Sequence, residues 1–461
     1  MGTKVTRPPF IFSMHSQQTT IAAIATPPGR GGIGVIRVSG NAVPSIAATL
    51  VGKELAPRKA HLVTFQGAGA DPIDQGLAIY FPAPHSFTGE EVLELHAHGS
   101  PVVLDMLLRR VLELGARTAR PGEFSERAFL NDKIDLAQAE AIADLIESTT
   151  ESAARSAQRS LQGKFSARIN GLVESLIQLR LYIEASIDFV DEDIELLTAG
   201  HIDRRLADLL QRLDTIRASA RQGQLLRDGM TLVITGRPNA GKSSLLNRLT
   251  GRDSAIVTPI AGTTRDALRE FIQIDGLPLH VIDTAGLREY SEDMVEQEGM
   301  RRAKAEISRA DHVLLMVDDT ESGETDSLLA DIPSKLPVTH IHNKIDLSRH
   351  PVGKYTTETG TVIYLSLKTG EGMELLLQHI KACVGYTAET EGVFMARRRH
   401  LEAIDQAMSA VQKAVENFKA GVLELLAEEL RIAQNSLSEI TGEFSSDDLL
   451  GRIFADFCIG K

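Results

Sequence analysis

Gly236-Arg237-Pro238-Asn239-Ala240-Gly241-Lys242-Ser243 is the stretch whose residue types and spacing point most directly to chemistry. It fits the phosphate-loop pattern: it follows an apolar strand-like run, Thr231–Thr235, and opens a helical run, Ser244–Leu249. The glycines let backbone N–H groups turn toward phosphate oxygens, and the helix N-terminus adds a positive dipole. Lys242 is placed to reach the β- and γ-phosphates, and the Ser243 hydroxyl to bind Mg²⁺. Asn239, Ala240, Gly241, Lys242, Ser243 and Ser244 form the expected phosphate-binding set.

Two further tetrapeptides follow in the order and βα spacing that a guanine-nucleotide site needs. Asp283-Thr284-Ala285-Gly286 ends a strand-like run; Asp283 would hold Mg²⁺ through a water, and the Gly286 N–H would sense the γ-phosphate. Asn343-Lys344-Ile345-Asp346 ends another. Asp346 can accept two hydrogen bonds from the N1–H and exocyclic amine of guanine, a donor pair that adenine lacks. A carboxylate left unpaired by the wrong base is costly, which supplies the discrimination. Ser366-Leu367-Lys368 falls where the loop supporting the base belongs, with Leu367 where Ala is usual.

Between the phosphate loop and Asp283 lies Thr258-Pro259-Ile260-Ala261-Gly262-Thr263-Thr264, at the position of a first switch loop. Thr264 is the second side-chain ligand expected for Mg²⁺, engaged only when a γ-phosphate is present. Leu287 stands where a Ras-like enzyme has the water-orienting Gln, and a leucine can neither orient water nor accept a proton. Asn239, with carbonyls of the Thr258–Thr263 loop, can instead hold a monovalent cation beside the phosphates and neutralise developing charge. Glu289, Glu292, Glu296 and Glu298 follow in an acidic stretch, and any one of them can position water.

The elements that must carry these residues fall into three textures. From about residue 18 to 130, short strand-like runs alternate with Gly and Pro, at Gly34–Ser39, His61–Phe65, Leu77–Phe81 and Val92–His96, with a helical run at Val102–Leu114. This predicts a compact α+β domain. From Leu136 to Leu226, and again from Ala396 to Ile440, apolar residues recur at three- and four-residue spacing, which predicts long helices. Between them, Thr231 to Cys383 alternates strand-like and helical runs, the pattern of a doubly wound parallel sheet. The simplest architecture is a discontinuous all-helical domain with an α/β domain inserted into it, the helices before residue 226 packing on those after 390.

At 461 residues the chain is long enough for about three domains. A net charge of −13 argues against a protein that coats nucleic acid, although Arg397-Arg398-Arg399 offers a small basic cluster at a helix start. No apolar run approaches the ~18 residues of a membrane span. The two cysteines, Cys383 and Cys458, lie far apart, which argues against a structural zinc site and against a disulfide scaffold. A cytoplasmic protein is expected. Cys458, in the apolar run Ile453–Ile459, reads more readily as a small core residue than as a reactive thiol, and His96 and His98 as core or turn histidines.

With these residues in place the chain resembles the MnmE (TrmE) family of tRNA-modifying GTPases over nearly its whole length. The resemblance rests on Ala25–Gly32 and Arg37, Ser86–Glu90, Pro121–Phe129, Leu130–Lys133, and the terminal Phe457-Cys458-Ile459-Gly460-Lys461. It implies an N-terminal folate-binding and dimerisation domain over 1–133, a helical domain in two parts (134–228 and 386–461), and a Ras-like P-loop GTPase domain over 229–385. Arg37, Glu94, Lys133 and Lys461 match the family's contacts to reduced folate, either 5-formyl- or methylene-tetrahydrofolate. Glu94 suits the pterin N–H edge and Arg37 the glutamate tail.

The resemblance further implies a potassium-dependent, homodimeric GTP hydrolase, with Asn239, Thr258, Ile260 and Thr263 around potassium, Ser243 and Thr264 on Mg²⁺, and Glu296 positioning water. It implies work with the partner MnmG on tRNA, adding a carboxymethylaminomethyl or aminomethyl group to carbon 5 of the wobble uridine. The competing class is a ribosome-assembly GTPase of the Era or EngA kind. That reading requires a basic KH-like tail or a second GTPase domain, and the sequence has neither.

Overall fold

The computed structural model describes residues 19–69, 71–188, 199–251, 269–283, 310–321, 333, 335–357, 360–387, 392–443, 447–455 and 457–460. They pack as two compact units, one of Met1–Ala143, Ser160–Leu210 and Gln406–Lys461, the other of Asp144–Arg159 and Gln211–Asp405.

The first unit is built on a sheet of strands β1 (Ile21–Ile24), β2 (Gly34–Ser39), β3 (His61–Gln66), β4 (Pro72–Phe81), β5 (Val92–Ala97) and β6 (Arg117–Thr118). Their order is β3-β4-β5-β2-β1-β6, antiparallel except for the β1–β6 pair. Helices Val43–Val51 and Pro101–Glu113 each bury one apolar stripe, Val43, Ile46 and Leu50 in one and Leu104, Leu107 and Val111 in the other. They share a core with Ile36, Val38, Phe65, Leu93 and Leu95. The three- and four-residue spacing of those side chains is what turns a helix into a lid for a sheet.

Two long helices complete the unit. Lys164–Asp188 buries Phe165, Ile169, Leu172, Leu176, Leu179 and Ile183, while Leu423–Thr441 buries Leu426, Leu430, Ala433, Leu437 and Ile440. Both sequences step by alternating threes and fours, the repeat of a coiled-coil seam, and the two helices lie against each other. Arg180 Nη1 donates to Gln434 Oε1 across them at 2.7 Å. Helices flanking the α/β segment therefore do pack together.

The second unit holds β7 (Met230–Gly236), β8 (Arg269–Ile274), β9 (Leu277–Asp283), β10 (His312–Asp318), β11 (Val338–Asn343), β12 (Gly353–Thr357) and β13 (Gly360–Tyr364). The order is β12-β13-β11-β10-β7-β9-β8. The inner strands are parallel, as expected, but both edges depart from a purely parallel sheet: β8 runs antiparallel to β9, and β12 antiparallel to β13. β8 joins β9 by the two residues Asp275-Gly276, and so short a link can only reverse the chain. At Asp275-Gly276 both residues have positive φ, 50° and 87°, the conformation of the tight hairpin turn that Asp-Gly favours. The last inner strand ends at Tyr364, so Leu365 and Ser366 leave the sheet rather than continue it.

Segments from both sides of the sheet brace this unit. Asp144 is buried and receives Arg227 Nε at 2.9 Å and Arg397 Nη2 at 2.7 Å. Gly223 lies against Phe394, where any side chain would overlap the Phe394 carbonyl. The β8–β9 turn is held too. Thr150 Oγ1 donates to Gly276 O at 3.2 Å, and Tyr386 Oη to Asp275 O at 3.0 Å. No helix among the described residues is long and apolar enough to cross a membrane.

Candidate nucleotide-binding site

The phosphate loop leaves the carboxyl end of β7, the strand at which the sheet order reverses: β9 lies on one side of it and β10 on the other. In open α/β sheets that switch point is where a crevice for ligand forms. The run of β7 is buried almost throughout, as a strand covered on both faces must be. Gly236 is required by proximity, since a Cβ there would stand 2.5 Å from Met316 O on β10. Asn239 sits at φ +64°, a conformation that asparagine tolerates better than most residues, and its side chain is exposed. Helix Lys242–Thr250 begins immediately after Gly241. Ser243 and Ser244 are exposed in its first turn. Lys242 Nζ folds back on the loop, donating to Gly236 O at 3.0 Å and Arg237 O at 2.8 Å.

Asn343 ends β11 and is buried. Its Nδ2 donates to Ala240 O at 2.9 Å, and its Oδ1 accepts from Leu367 N–H at 3.0 Å. One side chain thus ties the phosphate loop to the loop expected under the base. Gly241 is glycine for the same reason, because a side chain there would overlap Asn343 Nδ2. Arg248, from the helix after the phosphate loop, also holds the base loop, through Leu367 O and through Lys368 O at 2.8 Å. Leu367 is buried, and its backbone N–H makes the Asn343 bond, so the loop is held here with leucine where Ala is usual.

Asp346 Oδ1 accepts from Ser366 Oγ at 2.7 Å, which orients the carboxylate, and Lys368 Nζ stands 4.0 Å from Oδ2. Lys344 has φ +72° and pairs with Asp318 at the end of β10. Burial alone would raise the Asp318 carboxyl. Hydrogen bonds from Lys344 and Thr320 outweigh it and hold the group below its ordinary value.

The structure thus brings Asn239, Ala240, Gly241, Lys242, Ser243, Ser244, Asn343, Lys344 and Asp346 to one edge of one sheet. Asp283 ends β9, which pairs with β7 in the register Ile234↔Asp283. Thr258, Pro259, Ile260, Ala261, Gly262, Thr263, Thr264, Thr284, Ala285, Gly286 and Glu296 lie outside the described residues. So does Lys461.

The residues read as a folate site lie in the first unit. Arg37 on β2 and Glu94 on β5 are cross-strand partners. Arg37 Nε and Nη2 donate to Glu94 Oε1 at 3.0 and 2.8 Å. The guanidinium also faces the rings of Phe87 and Phe124, at 5.8 and 5.9 Å, and reaches Gly460 O at 3.4 Å. Gly460 sits where a Cβ would come within 2.6 Å of Ile24 O. The Phe457–Gly460 segment is therefore seated beside Arg37. Lys133 is exposed and donates to Pro84 O at 2.8 Å. His96 Nε2 is 3.6 Å from Glu94 Oε2, and His98 is exposed on Asp74 at 2.9 Å. Cys458 is exposed, which overturns its reading as a core residue: the buried members of its segment are Ile453, Phe454 and Phe457.

Sequence reasoning missed a charged network behind this site. Arg127 is buried, with Nη1 3.0 Å from Glu90 Oε2 and Nη2 3.0 Å from Glu123 Oε1. Burial would raise the Glu123 carboxyl, but Arg117, the Arg120 N–H and Arg127 outweigh it and bring it down to about 2. Two of the quoted motifs, Ser86–Glu90 and Pro121–Phe129, meet in this network, and only their joint placement reveals it. The Arg397-Arg398-Arg399 cluster offers no open basic face of three, since Arg397 pairs with Asp144 and Arg398 with Glu402.

Two family models match the sequence: "GTP-binding protein TrmE N-terminus" over residues 20–133 and "MnmE helical domain" over residues 136–458. Among solved structures the chain is similar to a GTP-binding protein of Sulfolobus solfataricus in complex with GDP, at 20% identity over 46% of this chain and 67% of that one, TM-score 0.23. It is similar to a putative nucleolar GTP-binding protein 1 of Plasmodium falciparum, at 19% identity over 41% and 96%, TM-score 0.24. It is also similar to the cytosolic domain of the T. maritima FeoB iron transporter, at 18% identity over 46% and 97%, TM-score 0.25. Scores this low carry no argument, and the assignment rests on the family models. Matched by them from residue 20 to residue 458, the chain belongs to the MnmE (TrmE) family of GTP-binding proteins.

Proposed function

We propose that this chain is a potassium-dependent GTP hydrolase that works as a homodimer with MnmG. Together they add a carboxymethylaminomethyl or aminomethyl group to carbon 5 of the tRNA wobble uridine, with reduced folate as one-carbon donor. The observation that carries the GTPase reading is the Asn343 bridge, which holds phosphate loop and base loop in one frame. Family membership supports the tRNA reading.

Asp346 and the Ser366–Lys368 loop select guanine. Lys242 exchanges loop carbonyls for phosphate oxygens when nucleotide enters. Mg²⁺ would be held by Ser243 and Thr264, and potassium by Asn239 with Thr258, Ile260 and Thr263. Bound there, the cations supply positive charge against the β- and γ-phosphates. The exposed Ser243 hydroxyl and the exposed Asn239 side chain fit those roles. Glu296 positions the attacking water, since Leu287 cannot. In the first unit, Arg37, Glu94, Lys133 and Lys461 bind the folate.

The test is GTP hydrolysis in potassium chloride against sodium chloride at equal ionic strength. A large potassium advantage, lost in Asn239→Ala, is expected. Equal rates in the two salts would remove the cation role of Asn239.

A further inference from the structure

We infer that His312, His379 and Cys383 form a binding site for a thiophilic divalent cation, with zinc as the best match. His312 opens β10, while His379 and Cys383 lie four residues apart on the helix Met373–Cys383, and so on one face of it. Cys383 Sγ is 3.5 Å from His379 Nε2 and 3.9 Å from His312 Nε2. The three donor atoms all lie within 4.8 Å of one another. Nitrogen and sulfur ligands of one tetrahedral zinc stand about 3.6 Å apart, given metal–ligand distances of about 2.0–2.1 and 2.3 Å. The observed separations therefore need little movement to close around an ion.

The surroundings favour the same reading. Thr339 Oγ1, on β11, lies 2.8 Å from His312 Nε2 and 2.7 Å from His379 Nε2. The hydroxyl can donate to one imidazole and accept from the other, so it holds both Nε2 atoms toward one point. Two imidazoles and a thiol select zinc-like ions over Mg²⁺ or Ca²⁺, which prefer oxygen. Cys383 is exposed and lines a cleft with Arg217, Arg221, Asp311 and Gly385. That cleft gives the ion a path in, and water or Thr339 Oγ1 can complete the coordination. On binding, the Cys383 S–H bond breaks, its proton goes to solvent and a thiolate–metal bond forms. The imidazoles donate lone pairs and nothing is oxidised or reduced. The site lies at the amino end of β10, whereas the phosphate loop leaves the carboxyl end of β7, so it is separate from the Mg²⁺ position.

The test uses the whole chain, reduced and saturated with Mg²⁺ and GDP. Equilibrium dialysis against Zn²⁺ measures stoichiometry, and titration with Co²⁺ reads the ligand set through its thiolate charge-transfer and four-coordinate visible bands. One Zn²⁺ per chain is expected, with both Co²⁺ signatures present. Cys383→Ser, at an exposed position, should abolish the charge-transfer band and weaken Zn²⁺ about tenfold or more. GDP affinity and circular dichroism should stay unchanged. His379→Gln should also weaken Zn²⁺, and Cys458→Ser should alter neither signal. The proposal is overturned if the wild-type chain takes up no stoichiometric Zn²⁺, if Cys383→Ser keeps both band and affinity, or if Cys458→Ser is the variant that loses them.

Discussion

The Asn343 side-chain amide spends its donor on Ala240 and its acceptor on Leu367, 2.9 and 3.0 Å away, so that two loops over a hundred residues apart in sequence share one buried residue. Replacing it with alanine strands the Ala240 carbonyl and the Leu367 N–H. Each loss costs about 1–3 kcal/mol where water cannot compensate. Asn343→Ala should lower the thermal midpoint of the nucleotide-free protein and weaken GDP binding about tenfold or more. Calorimetry with and without GDP checks both. An unchanged midpoint would mean the bridge contributes nothing.

Asp346 has Oδ1 on Ser366 Oγ and Oδ2 4.0 Å from Lys368 Nζ, and in the proposed function this carboxylate is the acceptor for the base. Asp346→Asn replaces that acceptor with a group able to donate. GTP affinity should fall on the order of a hundredfold while xanthosine triphosphate, with an oxygen where guanine has its amine, gains. Competition binding of the two nucleotides reads the switch directly, and a uniform loss for both would count against base contact.

Leu367 is buried beside Gly241, its Cδ1 3.3 Å from where a Cβ would stand on that glycine. Leu367→Ala leaves a cavity there, at a cost of about 2–5 kcal/mol. Chemical denaturation of the variant should show the loss in the midpoint with little change in slope.

The Glu123 carboxyl is held down to about 2 in the folded protein, below the ordinary value of 4.5. A depressed carboxyl stabilises the fold above its unfolded value, and the contribution disappears as pH falls through the folded one. Stability owed to the Arg117–Glu123–Arg127 network should therefore be complete at neutral pH and drain away between about pH 4.5 and 2. Its full size is of order 3 kcal/mol. Glu123→Gln should flatten that part of the stability–pH curve. If wild type and variant lose stability in parallel, the network is not the cause.

Arg37 is the cation of a pair with Glu94 and a neighbour of Gly460. Arg37→Ala should reduce binding of 5-formyltetrahydrofolate while GTP hydrolysis stays near wild type. Fluorescence titration with the folate, beside a hydrolysis assay, separates the two.

Much of the nucleotide site was legible because its chemistry is local. Loop, strand and helix that position Lys242 and Ser243 are contiguous, so spacing alone places them. The bonds that hold the site are not local. Nothing adjacent to Asn343 in sequence names Ala240, and nothing near Arg248 names Leu367 O. The antiparallel sheet edges were not legible, because periodicity reports burial rather than strand direction. Asp275-Gly276 was nonetheless a readable hairpin signal, flanked by Ile274 and Leu277. The strands and helices of the first unit were legible in periodicity, but Arg37 and Glu94 were singled out only by resemblance, since an Arg–Glu pair on adjacent strands leaves no trace in either strand alone. His312 with His379 and Cys383 illustrates the same limit: counting cysteines in pairs hides a ligand set completed by histidines.

The β8–β9 hairpin has one further consequence. At its open end β9 finishes at Asp283, beside Ile234 of β7. Its turn is fastened by Thr150 and Tyr386. Each strand of that ribbon spans about 20 Å. Because Thr150 immediately precedes the helix Glu151–Leu161, the hairpin turn and that helix are fastened to each other at a single point.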